Sequence, residues 1–286
     1  MKNSVKLLSI YTLLVMSMNA CTSNAAINGS PSINNEEIRT TSNKQITSEK
    51  RSITSFSTME VSTGIDVVYY PTSEKPYVEV FLDAHNMQEL KTEVSGGKLR
   101  IFFKNTKEGK KRKRAKVVVH GPITEAVEAN AGASIRIEGD LTVKGDLKME
   151  TSAGASIVAC KDIVVDGKLD IEASAGSDIR WDKKISAKEA DIEASAGSFI
   201  KGAILIVEKK SEFDVSSASK CNIANITTSI LDIDASTASQ ATFSCGQTRQ
   251  ISIDASTAST VDVSNVVNKG DITIDKSTGA NVKAPR

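Results

Sequence analysis

The chain has 286 residues, 40% of them hydrophobic but only 4% aromatic, so any core must be built from Ile, Val, Leu and Ala, a composition suited to thin stacked layers. Thirty-six Lys and Arg against 35 Asp and Glu leave a formal charge of +1, which removes any global attraction to nucleic acid or membrane and makes every electrostatic question local. With only His85 and His120, and no Gly-x-Ser-x-Gly, P-loop or His-Glu-x-x-His motif, the common hydrolase, nucleotidase and metalloprotease constellations have no support.

Residues 1–20 read as a signal peptide. Lys2 and Lys6 form a basic start, and Leu7 to Met18 is mostly apolar but shorter than the roughly 20 residues a membrane span needs. Two processing routes compete. Ala20-Cys21 resembles a lipoprotein box that would leave Cys21 acylated, although Met18 and Asn19 depart from its usual residues; cleavage after Ala25 is the rival. Acylation would anchor the chain in a membrane without a span. Such a chain is expected to be exported, as an outer-membrane-anchored lipoprotein facing the periplasm or the surface. Residues 21–50, rich in Ser, Asn, Thr and Ala without apolar period, read as a flexible tether.

From 51 to 122 the pattern is irregular, with strand-like runs at Tyr77 to Leu82, Leu99 to Phe103 and Val117 to Val119. This segment is expected to be a β module that caps a solenoid. Within it lies the basic run Lys104 to Lys116, including Lys110, Lys111, Arg112, Lys113 and Arg114. The run could touch anionic lipid or polysaccharide, at about 1 kcal/mol per charge near an anionic membrane; the blander alternative is a solvated loop, since no aromatics accompany the charges.

Residues 123–286 carry a repeat. A small residue recurs at Gly132, Gly154, Gly176, Gly197, Ala218, Ala238, Ala258 and Gly279, spaced by 20 to 22 residues. Counting from this landmark, positions −7, −5 and −3 are mostly apolar or Ala, and so are +3 and +5, as in Leu169, Ile171 and Ala173, then Ile179 and Trp181. Period two means strands. Positions −1 and +1 are Ala, Ser or Thr and are expected to point inward at a sharp corner. A third apolar run, such as Ile163-Val164-Val165, completes a coil of about 21 residues, with successive coils about 4.8 Å apart. The expected fold is an all-β, right-handed parallel β-helix.

Position −4 is acidic in every regular copy: Glu128, Glu150, Glu172, Glu193, Asp214, Asp234, Asp254 and Asp275, with Glu60 in an earlier irregular copy. By parity these side chains face outward and stack roughly 5 Å apart. Such a ladder could bind a basic partner or weakly bind Ca²⁺, the one cofactor worth considering. The favoured, blander alternative is a solvated face with Lys and Arg neighbours such as Arg136, Arg180 and Lys201, copied by repeat duplication. Cys160, Cys221 and Cys245 fall at different places in their repeats, so buried thiols are expected in preference to disulfides.

The signal peptide, the run Phe56-Ser57-Thr58-Met59-Glu60-Val61-Ser62-Thr63-Gly64-Ile65-Asp66-Val67-Val68, then Gly96-Gly97-Lys98-Leu99-Arg100-Ile101, the basic loop and the repeated Ser-Ala-Gly-Ala-Ser units together resemble the putative auto-transporter adhesin, head GIN domain family of exported bacterial proteins. The resemblance runs from about Ile53 to the C-terminus and implies a right-handed β-helix and adhesion; it brings no catalytic or binding residues. The combined expectation is a non-enzymatic adhesion or scaffolding protein of the cell envelope, whose partner is an envelope protein or glycan. Its oligomeric state is open, and the alternative is a carbohydrate-binding or polysaccharide-cleaving β-helix.

Overall fold

A computed structural model describes residues 46–104, 114–123 and 125–285. The described chain is all β, a solenoid of about eight turns with coils of about 21 residues. Two sheets form its walls. An eleven-stranded sheet collects the strand before each corner, and a sixteen-stranded sheet collects the strands after it. From Glu125 onward every pairing is parallel and in repeat register: Leu169 stacks on Leu147, Ile171 on Met149, and Ile179 on Ile157.

The corner explains the small residues. In each regular copy except the last, residues −1 and 0 both have positive φ, for example Ala131 at 51° and Gly132 at 69°, or Thr237 at 52° and Ala238 at 60°. The amide of +1 donates to the carbonyl of −2, as from Ala133 to Asn130 at 3.2 Å and from Ser219 to Ser216 at 3.1 Å. Two positive φ values and this bond define a type I′ turn. Position −1 is therefore solvent-exposed, from Ala131 to Thr257, and the expectation that it points inward is corrected: a left-handed residue turns its side chain off the core face. Position +1 is buried as expected, with Ala155 fully covered and Ser177 2% exposed. In three copies its hydroxyl bonds to the coil before, Ser177 donating to the Thr151 carbonyl at 3.0 Å, Ser198 to that of Ala173 at 2.7 Å and Ser219 to that of Ala194 at 2.9 Å. The buried hydroxyls of Ser239 and Ser259 find no partner among the described residues. Each corner also bonds to the next, Gly132 N–H to Ala153 O at 3.0 Å and Ala218 N–H to Thr237 O at 2.9 Å.

Inside, side-chain size is matched between coils. The column through Ile137 continues with Ala159, Trp181, Gly202, Ile223 and Phe243. The Trp181 ring spreads over its successor, so a Cβ on Gly202 would fall 1.9 Å from a ring carbon. The indole N–H is satisfied by the Ile204 carbonyl at 3.1 Å.

The N-terminal module closes one end. Its strands are β1 (Ile46–Ser52), β2 (Thr58–Val61), β3 (Ile65–Pro71), β4 (Tyr77–Asp83), β5 (Leu90–Ser95), β6 (Lys98–Phe103) and β7 (Ala115–Gly121). β2 and β3 make a coil around the Thr63–Gly64 corner and stack on the first regular copy; β6 and β7 make another outside it. β5 then pairs antiparallel with β6, β4 with β7, and β1 with β4. Antiparallel strands end the parallel stack, which gives this end its cap. β1 begins five residues before the expected module boundary at 51.

Candidate functional site

The eleven-stranded sheet carries the carboxylates in the order the repeat predicts. Glu60 pairs in register with Glu128, and the ladder continues through Glu150, Glu172, Glu193, Asp214, Asp234 and Asp254 to Asp275. Glu172 and Glu193 are thus neighbours on one face. Two residues earlier lies a second outward column: Lys148, Asp170, Asp191, Glu212 and Asp232. The alternation Asp170-Ile171-Glu172, Asp191-Ile192-Glu193, Glu212-Phe213-Asp214 and Asp232-Ile233-Asp234 places this doubled acidic face on four consecutive coils.

Lysines divide the ladder. Lys98 Nζ reaches Glu128 at 2.7 Å and Glu60 at 3.5 Å, and Lys148 reaches Glu172 at 3.0 Å and Glu150 at 3.1 Å. Burial opposes the charge on Lys148, but its hydrogen bonds to Glu172 and Glu150 outweigh it and hold the ammonium above the usual lysine value. Beyond Glu172 compensation moves to the second column, Lys168 with Asp191 at 3.1 Å and Lys210 with Glu212 and Asp232. Glu193, Asp214, Asp234, Asp254 and Asp275 are exposed and form no ion pair among the described residues. Arg136, Arg180 and Lys201, expected as the neutralising neighbours, lie instead on the sixteen-stranded sheet, stacked in their own row with Val158. They sit after the corner and the ladder before it, so the I′ turn sends them to another face; Arg136 pairs with Glu138 and Arg180 with Asp178.

The crowding has a titration signature. Burial first, then Asp214 and Glu172, hold Glu193 above the ordinary glutamate value. Burial, then Asp214 and Asp254, do the same for Asp234, and burial followed by Glu172 for Asp170. Every regular step adds a carboxylate to a column whose neighbours are already charged. Among the described residues no three His, Cys, Asp or Glu side chains are grouped to hold a metal ion. Beside the ladder lies an open hollow of about 490 Å³ lined by Glu125, Asp146, Lys148, Lys168 and Asp170.

The remaining candidates are scattered. Cys21, Lys110, Lys111, Arg112 and Lys113 lie outside the described residues. Arg114 opens β7's approach and binds Asp66 at 3.1 Å. The rest of the basic run, between β6 and β7 in sequence, lies outside the described residues from 105 to 113. Among the described residues Cys160, Cys221 and Cys245 form no disulfide with one another; Cys160 and Cys221 are buried as expected, but Cys245 is exposed. Burial pushes the Cys221 thiol up to about 12. His120 is stacked between Tyr70 and Tyr77, with ring centroids 5.0 and 4.5 Å away.

The profile of the family described as "Putative auto-transporter adhesin, head GIN domain" matches residues 55–285. No curated protein matches the chain. Among solved structures, one titled putative adhesin from Parabacteroides distasonis aligns with a TM-score of 0.70 at 17% identity, over 84% of this chain and 97% of that one. Another putative adhesin, from Bacteroides fragilis, aligns with a TM-score of 0.51 at 14% identity, over 82% and 98%. At these identities the two likenesses establish the fold alone.

Proposed function

We propose, since this chain belongs to the putative auto-transporter adhesin, head GIN domain family, that it is a non-enzymatic adhesion or scaffolding protein of the cell envelope that grips a basic protein partner with its carboxylate face. One observation carries the reading: the five carboxylates from Glu193 to Asp275, unpaired among the described residues and in register on one sheet. Folding alone gains nothing from that column. Neighbours about 5 Å apart repel by about 0.8 kcal/mol in bulk water, and a basic partner would turn that repulsion into attraction. Many weak contacts along a rigid rod sum to a useful grip. In this reading the chain is exported, held at a membrane through acylated Cys21, and lifted from it by the segment before β1.

Retention of an envelope protein on immobilised chain tests the proposal. The expected result is loss of that retention when Glu193, Asp214 and Asp234 are changed together to amides; retention unaffected by the triple change would overturn it. A second reading, glycan binding, draws on the hollow lined by Glu125, Asp146 and Asp170, whose carboxylates suit sugar hydroxyls. Selective signal on a glycan array, abolished by Asp170→Asn, would favour it over the first.

A further inference from the structure

Consecutive coils in the middle of the solenoid carry a carboxylate before the corner and a cation after it: Glu172 and Arg180, Glu193 and Lys201, Asp214 and Lys220. The carboxylates stand on the eleven-stranded sheet and the cations on the sixteen-stranded sheet, where Lys201 follows Arg180 in register and Lys220 lies one coil further on, beside Phe199. All of these cations are exposed. Arg180 leans on Asp178 at 3.1 Å. Lys201 and Lys220 form no ion pair among the described residues, just as Glu193 and Asp214 form none. Within one chain the two signs do not meet, because the I′ corner sends their strands into different walls. The body thus displays an uncompensated acidic row and an uncompensated basic row with the same rise.

We infer that the acidic wall of one copy seats on the basic wall of a second copy, the two rods lying side by side with their axes aligned. Charge complementarity selects this occupant, and the spacing sharpens the choice. Both walls rise by about 4.8 Å per coil, so a second copy brings its cations at the same step as the carboxylates they meet. With the copies pointing the same way and no stagger, Lys201 faces Glu193 and Lys220 faces Asp214. A stagger of one coil moves them to Asp214 and Asp234, and the pattern still matches. A basic protein of another fold has no reason to repeat its charges at that interval. The formal net charge of +1 leaves no global repulsion between copies. Because the two walls differ, the contact is heterologous: every bound pair keeps one acidic and one basic wall free, and association runs past a dimer into rings or rows. Exposed ion pairs are individually weak, so the contact is weak in dilute solution and gains strength where copies are crowded on one surface. This rests on the carboxylate-face reading above and names its basic partner.

Sedimentation of the purified chain with two variants tests the contact. Glu193→Gln, Asp214→Asn and Asp234→Asn together strip the acidic wall; Lys201→Gln and Lys220→Gln together strip the basic one. In about 20 mM salt, where the Debye length is roughly 20 Å, the wild type is expected to assemble past a dimer as concentration rises from about 10 µM to about 1 mM. In about 500 mM salt that assembly should be lost. Each variant alone is expected to associate at least about tenfold more weakly. Mixed one to one, the variants should recover a dimer and nothing larger, because each supplies the wall the other lacks; that recovery also shows that both fold. A wild type monomeric throughout, a closed two-fold dimer, assembly unchanged in either variant, or a mixture that fails to associate would overturn the inference. Should the wild type stay monomeric yet retain an envelope protein that the triple amide loses, the inference falls and the reading above stands. Should the triple amide keep both self-assembly and that retention, both fall.

Discussion

Glu193→Gln is expected to stabilise the fold, an unusual outcome for an outward polar residue. Glu193 stands between Glu172 and Asp214 in the ladder, has no ion pair among the described residues, and is held above its ordinary value by burial first and then by Asp214 and Glu172. Each neighbour about 5 Å away contributes about 0.8 kcal/mol of repulsion in bulk water. Physiological salt, with a Debye length of about 8 Å, removes roughly half. Lys148 already offsets Glu172 from 3.0 Å. The amide should therefore gain about 0.5–1 kcal/mol, or about 1–3 °C in melting temperature for a body of this size. Glu150→Gln provides the contrast: it removes a carboxylate that Lys148 holds at 3.1 Å, and stability should be unchanged or lower. Circular dichroism melts at low and high salt decide the matter. A gain for Glu193→Gln that shrinks with salt is expected; no gain, or one indifferent to salt, would refute the electrostatic reasoning. The same variant should bind an envelope partner less well, so stability and function would move in opposite directions.

The three crowded carboxyls predict a pH trend. Asp170, Glu193 and Asp234 all titrate above their ordinary values, burial being the largest cause in each; the folded state then keeps protons the unfolded chain releases, and their contribution to stability is lowest once pH exceeds the folded values and rises as pH falls through them toward the ordinary carboxylate range. Melts of the wild type and an Asp170, Glu193 and Asp234 triple amide should converge as pH falls. Gly202→Ala should cost about 1–3 kcal/mol by overpacking against Trp181, and in a Trp181→Leu background the cost should shrink to under 1 kcal/mol in urea titrations, because contacting residues are not additive. Ala238→Gly should raise stability by about 0.5–1 kcal/mol in the same assay, since Ala238 holds φ 60°, which costs an L-residue about 1–2 kcal/mol, partly offset by the freer unfolded glycine.

The repeat made the coil, its strands and the ladder legible, because parity and a steady period survive stacking unchanged: Glu172 over Glu193 follows from spacing alone. What the spacing concealed is instructive. Small residues satisfy both a narrow interior and a left-handed turn, so Ala131 and Thr237 could not be placed on the outside before the paired positive φ values were known. Lys98, Lys148 and Lys210 reach from one coil to the next, joining residues from 22 to 38 apart in sequence, and long flexible side chains leave no periodic mark. Gly202 reads as a mere gap in an apolar column until Trp181 is seen to fill it from the coil before. The doubled acidic column was visible in Asp170-Ile171-Glu172 and its copies, but its asymmetry depends on where the lysines fall.

The stacked I′ corners also govern how such a chain can change length. Coils differ by a residue or two, yet the strands flanking each corner keep step; the difference is taken up elsewhere, as at the irregularity between Trp181 and Lys184 and in the turn through Gly167, where the offset falls from 22 residues at Val164 and Ser186 to 21 at Lys168 and Glu189. Insertions on that side are absorbed as in an expansion joint. Whole coils can likewise be gained or deleted without breaking the wall's pattern, each altering the reach of the rod by about 4.8 Å. Evolution, or an engineer, can thus set the distance spanned by copy number while leaving the chemistry of the surface as it was.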